Sequence, residues 1–115
     1  YSHSCHNEEF AKITRFWVEQ YAYLVKKLHG MQEGDGTVLD NCCLMAANEQ
    51  WTFHNGAKVP LLMAGSMGGN FDTGRTLDFD KADNDKMSSL YLTILERMGL
   101  GRESFGNSSQ ALTGI

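Results

Sequence analysis

The clearest pattern in the chain is an apolar stripe close to its start. Six large apolar residues recur at spacings of three and four: Phe10, Ile13, Trp17, Tyr21, Leu24 and Leu28. Side chains at those spacings share one face of a helix. Asn7 suits a helix N-cap and Gly30 suits a C-terminal stop. The pattern therefore predicts a helix from about Asn7 to His29.

Two short apolar runs follow, at residues 42–47 and 59–64. Continuous runs of this length between polar loops are typical of strands buried on both faces. Pro60 fits best at the start of its strand, where no ladder donor is required. Residues 75–79 are predicted to form a short edge strand after the turn at Gly74.

A second apolar stripe predicts a helix near the end of the chain, formed by Met87, Leu90, Tyr91, Ile94, Leu95 and Met98. Asp83 or Asn84 offers a cap, and Gly99 ends the stripe. Two buried strands need helices on both faces. We therefore expect residues 1–115 to be a single C-terminal α/β fragment of a larger domain, completed by upstream sequence or by other subunits.

Composition narrows the classes of partner. The 115 residues are 42% hydrophobic and 21% charged, with a net charge of −4, which indicates a globular chain. Without clustered Lys and Arg, nucleic acid is not an expected partner. No apolar run approaches the roughly 20 residues that span a bilayer. Three cysteines, Cys5, Cys42 and Cys43, do not form a disulfide framework, and the adjacent pair lies in an apolar run.

Two groups of residues could carry chemistry. His3, Cys5 and His6 precede the first helix, and imidazole and thiolate are good zinc ligands. Glu49 directly follows the first apolar run, with His54 in the next loop. If the strands are parallel, Glu49 emerges at the edge where α/β sheets bind ligands. Glu49 and His54 could share a metal ion, or Glu49 could act as a general base with His54 as its partner. The alternatives are an idle polar terminus and an ordinary surface loop.

The glycine-rich segment Gly65–Gly69 follows the second predicted strand, as a phosphate-binding loop would. No helix pattern opens directly after it, and no Lys followed by Ser or Thr accompanies the glycines. The context of a P-loop is therefore missing, and the segment is predicted to be a turn.

These segments together resemble the C-terminal region of the HXXSHH family, a bacterial domain family that looks like a distant branch of the alkaline-phosphatase and sulfatase-like superfamily. The resemblance covers most of the chain. It rests on Ser4-Cys5-His6, Gln20–Leu24, Glu33–Asp40, Asn48-Glu49, Val59–Gly65, Gly74-Arg75, Met98-Gly99 and Ser104–Gly106. The segment Glu33–Asp40 is the most specific of these.

The resemblance implies a three-layer α/β/α sandwich and an exported protein of the periplasm or cell envelope. In the wider superfamily, metal ions held by Asp, Glu and His activate a nucleophile that hydrolyses phosphate or sulfate esters. By position, Ser4 and His6 match the family motif and Glu49 matches its acidic residue. The nucleophile of the superfamily lies near the start of a full-length chain, so it is not expected here.

Two hypotheses follow. The first is a metal-dependent hydrolase represented by its C-terminal part, with His6, Glu49 and His54 as ligands, or as groups around the ligands, of a divalent ion such as zinc or calcium. The second is a non-catalytic structural or accessory subunit of a cell-envelope assembly. Tyr1 and Cys5 replace two histidines of the motif, and these replacements favour the second hypothesis.

Overall fold

The computed structural model describes residues 7–48, 56–80 and 85–115. The elements are α1 (Asn7–His29), β1 (Gln32–Glu33), β2 (Gly36–Thr37), a 3₁₀ turn (Val38–Asn41), β3 (Leu44–Ala47), β4 (Leu61–Ala64) and α2 (Met87–Arg97). Both sheets are antiparallel pairs, β1 with β2 and β3 with β4. The described part of the chain is thus a mixture of helices and small antiparallel sheets. Neither of its helices has the length and apolar character needed to cross a membrane.

Helix α1 confirms the first prediction, with Glu8 and Glu9 in its first turn and basic residues in its last. Only part of its apolar stripe is covered. Tyr21 and Leu28 are half-buried, and the Tyr21 hydroxyl donates to the Leu44 carbonyl oxygen at 3.1 Å. Trp17, one turn earlier, is 65% exposed. The C-terminal half of α1 therefore packs on the rest of the chain, while the N-terminal half projects beyond it.

The segment after α1 is more ordered than its polar sequence indicates. Residues 32–37 form the two-residue ladder of β1 and β2, with Gly34 at φ +57° in the turn between them. The 3₁₀ turn follows β2 directly. Its start is fixed by Asp40, whose carboxylate accepts from the Thr37 amide at 2.7 Å and from the Thr37 hydroxyl at 2.9 Å.

Strands β3 and β4 lie within the two predicted apolar runs but are shorter than those runs. Their register pairs Leu44 with Ala64 and Ala47 with Leu61. The residues of both strands are half-buried or exposed, not buried on both faces as predicted. The pairing is antiparallel, so the condition under which Glu49 would emerge at the ligand-binding edge of a parallel sheet does not hold for this pair.

The prediction of an edge strand at residues 75–79 is wrong, because this stretch forms no strand. Arg75 instead donates from Nε to the Asp72 carbonyl oxygen at 3.4 Å. The stretch runs along the side of a cleft that is described below.

Helix α2 confirms the second predicted helix. Lys86 occupies the N-cap position; the caps predicted from sequence, Asp83 and Asn84, lie outside the described residues. At the other end, Gly99 has φ +74° and its amide donates to the Glu96 carbonyl oxygen, while the Leu100 amide donates to the Leu95 carbonyl oxygen. This pair of bonds is a Schellman motif, as the glycine predicted.

The small core lies around α2. Among the described residues, the buried apolar side chains are Phe71, Leu90 and Leu92, and the buried polar side chains are Ser89, Thr93 and Ser108. The hydroxyls of Ser89 and Ser108 are 2.6 Å apart, so they share a hydrogen bond that ties the C-terminal tail to the helix. The tail therefore has a buried polar anchor on α2.

Candidate functional site

The predicted metal ligands His6, Glu49 and His54 all lie outside the described residues, as do His3 and Cys5. Within the described ranges there is no group of three or more His, Cys, Asp and Glu side chains that could hold a metal ion.

The structure describes the chain on either side of Glu49 and His54. Both residues belong to the connection from β3 to β4. The Asn48 amide donates to the Pro60 carbonyl oxygen at 3.1 Å, which extends the β3–β4 ladder beyond the strands. The two ends of the connection that carries both predicted ligands are therefore held side by side.

At the opposite end of the hairpin, the glycine-rich loop (residues 65–71) lies against the 3₁₀ turn. The Met67 amide donates to the Cys42 carbonyl oxygen at 3.1 Å, and the Gly68 amide donates to the Asp40 carbonyl oxygen at 2.7 Å. The Ser66 hydroxyl donates to the same Asp40 oxygen at 2.8 Å. The sequence predicted a turn, and these bonds fix that turn against the backbone of Asp40 and Cys42.

Gly65 explains how the loop comes so close. Its φ is +93°, and a Cβ at this position would meet the Leu39 carbonyl oxygen at 2.8 Å and come still closer to that of Cys42. No side chain larger than hydrogen fits there without movement of the backbone. Two positions later Met67 has φ +47°, the one non-glycine residue with positive φ in the described part of the chain.

The electrostatics of the 3₁₀ turn are local. Hydrogen bonds from the Thr37 amide and hydroxyl stabilise the charged form of Asp40 and lower the pKa of its carboxyl group. The side-chain amide of Asn41 donates to the Glu33 carboxylate at 2.6 Å. These polar groups bind one another and leave the turn as a stable platform for the glycine-rich loop.

One side of the hairpin faces α2 across a groove of about 570 Å³. It is lined by Asn41, Cys43, Met45, Met67, Asn70, Tyr91, Ile94, Arg97 and Met98. We call this the sulfur groove, because four of its lining residues, Cys43, Met45, Met67 and Met98, contain sulfur. Sequence reasoning missed it, since Cys43 and Met45 were interpreted as strand core. The three methionines are far apart in sequence, and only the fold brings them to one surface.

Burial raises the pKa of the Cys43 thiol, and the neighbouring Cys42 adds to the effect. The pKa of the Tyr21 hydroxyl is raised as well, first by burial and then by Cys43. Both groups are therefore neutral at pH 7. Both cysteines are free, so no disulfide occupies Cys43.

A second and larger cleft, of about 810 Å³, lies between residues 56–63, residues 71–80 and α2. Its floor is apolar, with Met63, Phe71 and Leu90 among its lining residues. Lys58 crosses its rim to Asp80, with 3.1 Å between Nζ and Oδ2. The cleft is mixed in character, because charged side chains such as Lys58 and Asp80 line it beside the apolar ones.

Comparison with known proteins gives no relative: no protein-family model, no curated protein and no solved structure matches this chain.

Proposed function

We propose that this chain is the C-terminal part of a metal-dependent, hydrolase-like protein of the HXXSHH family, within the alkaline-phosphatase and sulfatase-like superfamily. The observation that carries the proposal is the antiparallel hairpin, which closes the connection bearing Glu49 and His54 with the Asn48–Pro60 hydrogen bond. Carboxylate and imidazole are donors that suit zinc, and a bound divalent ion would polarise an ester oxygen and lower the pKa of a bound water.

The positions of the helices support the finer proposal of a three-layer α/β/α sandwich. Tyr21 of α1 bonds to the Leu44 carbonyl oxygen. Tyr91 and Ile94 of α2 line the sulfur groove with Met45 of β3. Contacts of both helices with the β3–β4 pair are consistent with a small portion of such a sandwich, and further strands would pair with the open edges of the sheet.

Exposed apolar surface supports a larger domain. Phe16 and Trp17 of α1 are more than half exposed, at 52% and 65%. The radius of gyration is 16.0 Å, against about 13 Å for a compact domain of this length. We propose that the rest of the protein or other subunits cover this surface, and that the protein is exported to the periplasm or cell envelope.

The test is the metal content of the intact protein, measured by mass spectrometry after extensive dialysis. We expect about one divalent ion, zinc, calcium or similar, per chain. Glu49→Ala, His54→Ala and His6→Ala should each lower the content, because each removes a ligand or a group that orients one. Glu96→Ala and His29→Ala are matched controls, since they remove the same side-chain types at exposed positions near the ends of α2 and α1. They should leave the metal content unchanged.

The second candidate is a non-catalytic structural or accessory subunit of a cell-envelope assembly, which the exposed face of α1 favours because such a face suits a subunit contact. A metal-free protein, with stability and esterase activity unaffected by Glu49→Ala and His54→Ala, would reject the hydrolase proposal. Recovery of the same protein in a stable complex that covers Trp17 would then establish the second candidate.

A further inference from the structure

Helix α1 carries a row of large apolar side chains that are open to solvent. Phe10, Trp17 and Leu24 follow one another at intervals of seven residues. Seven residues are close to two turns of a helix, so the three side chains lie in a line along it. They are 37%, 65% and 45% exposed. We call this set the α1 row.

The other surfaces of α1 are accounted for. Tyr21 bonds to the Leu44 carbonyl oxygen and so belongs to the side that packs on the chain. Arg15 and Glu19 form an exposed ion pair one turn apart, with 3.5 Å between Nε and Oε1. At 3.6 residues per turn, Arg15 lies on the opposite side of the helix from Trp17. The ion pair therefore marks the solvated side, and the α1 row is an apolar surface that suits a protein contact.

Charge at the two ends of α1 decides how a second α1 helix would lie along this row. Glu8 and Glu9 are in the first turn, and the last turn is basic, with Lys26 and Lys27. Two parallel copies would bring like charges together at both ends, which is unfavourable. Two antiparallel copies bring the acidic turn of each helix to the basic turn of the other. Charge complementarity therefore favours an antiparallel pair.

The apolar and the charged positions select the same register. When two antiparallel helices meet at Trp17, position 10 of one is level with position 24 of the other, so Phe10 meets Leu24. In that register position 8 is level with position 26, so Glu8 meets Lys26. A two-fold axis at Trp17 repeats each of these contacts, as an interface between identical subunits requires. The row from position 10 to 24 would be covered over roughly 21 Å.

From these observations we infer that α1 pairs with α1 of a second copy of this chain, antiparallel and with the two-fold axis near Trp17. The N-terminal half of α1 projects beyond the rest of the chain, which leaves room for the second helix. The inference goes beyond the proposed function and does not rest on it, because His6, Glu49 and His54 take no part in the pairing. Metal content tests those three residues, whereas association tests the α1 row.

The experiment measures association of the intact protein by sedimentation equilibrium at low salt. We expect a reversible dimer. Trp17→Ala should weaken it by about 30-fold or more, as truncation of an aromatic hot spot does. Leu24→Ala should also weaken it, whereas Leu100→Ala, which shortens a leucine that is 54% exposed outside α1, should leave it unchanged. Circular dichroism of each variant shows whether the helices are retained.

Charge reversal tests the direction of the pair. Reversal of the acidic end alone, with Glu8→Lys and Glu9→Lys, should weaken the dimer by about 3- to 10-fold at low salt. Reversal of the basic end alone, with Lys26→Glu and Lys27→Glu, should do the same. All four substitutions together should restore the affinity, because each end again faces its opposite. All four oppose the helix dipole, so a more stable helix cannot account for the recovery.

These four charged side chains are exposed, so the reversal variants test the pairing even if Trp17→Ala does not fold. The inference is overturned if the intact protein stays monomeric at every concentration, since the row is then covered by its own chain or by a different protein. It is also overturned if folded Trp17→Ala and Leu24→Ala dimerise as tightly as the parent. Failure of the fourfold variant to regain affinity would likewise reject the antiparallel pair.

Discussion

Substitution of Gly65 by alanine tests the docking of the glycine-rich loop directly. A Cβ here would overlap the Cys42 carbonyl oxygen and lie 2.8 Å from that of Leu39. The loop must therefore move away from the 3₁₀ turn. Movement would break three hydrogen bonds, from the Met67 amide, the Gly68 amide and the Ser66 hydroxyl.

The magnitude follows from two contributions. A left-handed conformation costs an L-residue about 1–2 kcal/mol, and each hydrogen bond contributes about 0.5–1.5 kcal/mol net. Loss of all three bonds with the conformational cost gives roughly 3–6 kcal/mol of destabilisation. For a domain of about 100 residues this lowers Tm by more than about 10 °C.

Gly69 provides a matched control in the same loop. Its φ is +88°, close to the +93° of Gly65, but a Cβ there would meet no atom within 4 Å. Gly69→Ala should therefore lose only the conformational part, about 1–2 kcal/mol. The measurement is the free energy of unfolding of the two variants by urea denaturation. Equal losses would refute the reasoning, because the close approach of the loop to the turn would then contribute nothing.

Three further predictions concern the core and the turn. Leu92 is 1% exposed, so Leu92→Ala should lower the free energy of unfolding by about 2–5 kcal/mol. Leu100 is 54% exposed, so Leu100→Ala should change it by less than about 0.5 kcal/mol. Similar urea midpoints for the two variants would contradict this prediction. Thr93 is buried, and its hydroxyl donates to one backbone group and accepts from another. Thr93→Val should therefore lower the free energy of unfolding by about 1–3 kcal/mol, and Thr93→Ser should lower it by less. The reverse order of the two variants in thermal melts would contradict these hydrogen bonds. The lowered pKa of Asp40 means that its charged form stabilises the fold above the ordinary value of 3.8, and that this contribution is lost as the pH falls through the lowered pKa. Asp40→Asn should therefore be less stable than the parent at pH 7, with a gap that closes toward pH 2; a gap independent of pH would show that Thr37 does not favour the charged form.

Helix positions were predictable because each helix carries its own signals. The stripe from Phe10 to Leu28 and the glycine after His29 locate α1 by local periodicity alone. The Schellman motif at Gly99 is likewise local, since it joins residues three and five apart. Strand pairing is not local. The two apolar runs predicted the positions of β3 and β4, but a run of four apolar residues does not indicate whether its strand pairs in a parallel or an antiparallel direction.

The Glu49–His54 pair and the sulfur groove also differ in how far apart their residues lie in the sequence. Glu49 and His54 were found because they are five residues apart and next to an apolar run. The sulfur groove was not, because Cys43, Met67 and Met98 are separated by more than twenty residues each and their proximity depends on how the loop folds back. Methionine also carries little signal by itself, since it is most often a flexible core residue. Gly65 was a better clue than any lining residue of the groove, because a glycine directly after a strand indicates close backbone approach.

The partial burial of α1 bears on the proposal that this chain is part of a larger protein. Tyr21 and Leu28 of its stripe pack on the chain, while Phe16 and Trp17 do not. A helix with a continuous stripe is stabilised chiefly by burying it, and this is the physical reason for our proposal that the rest of the protein or another subunit covers the exposed half.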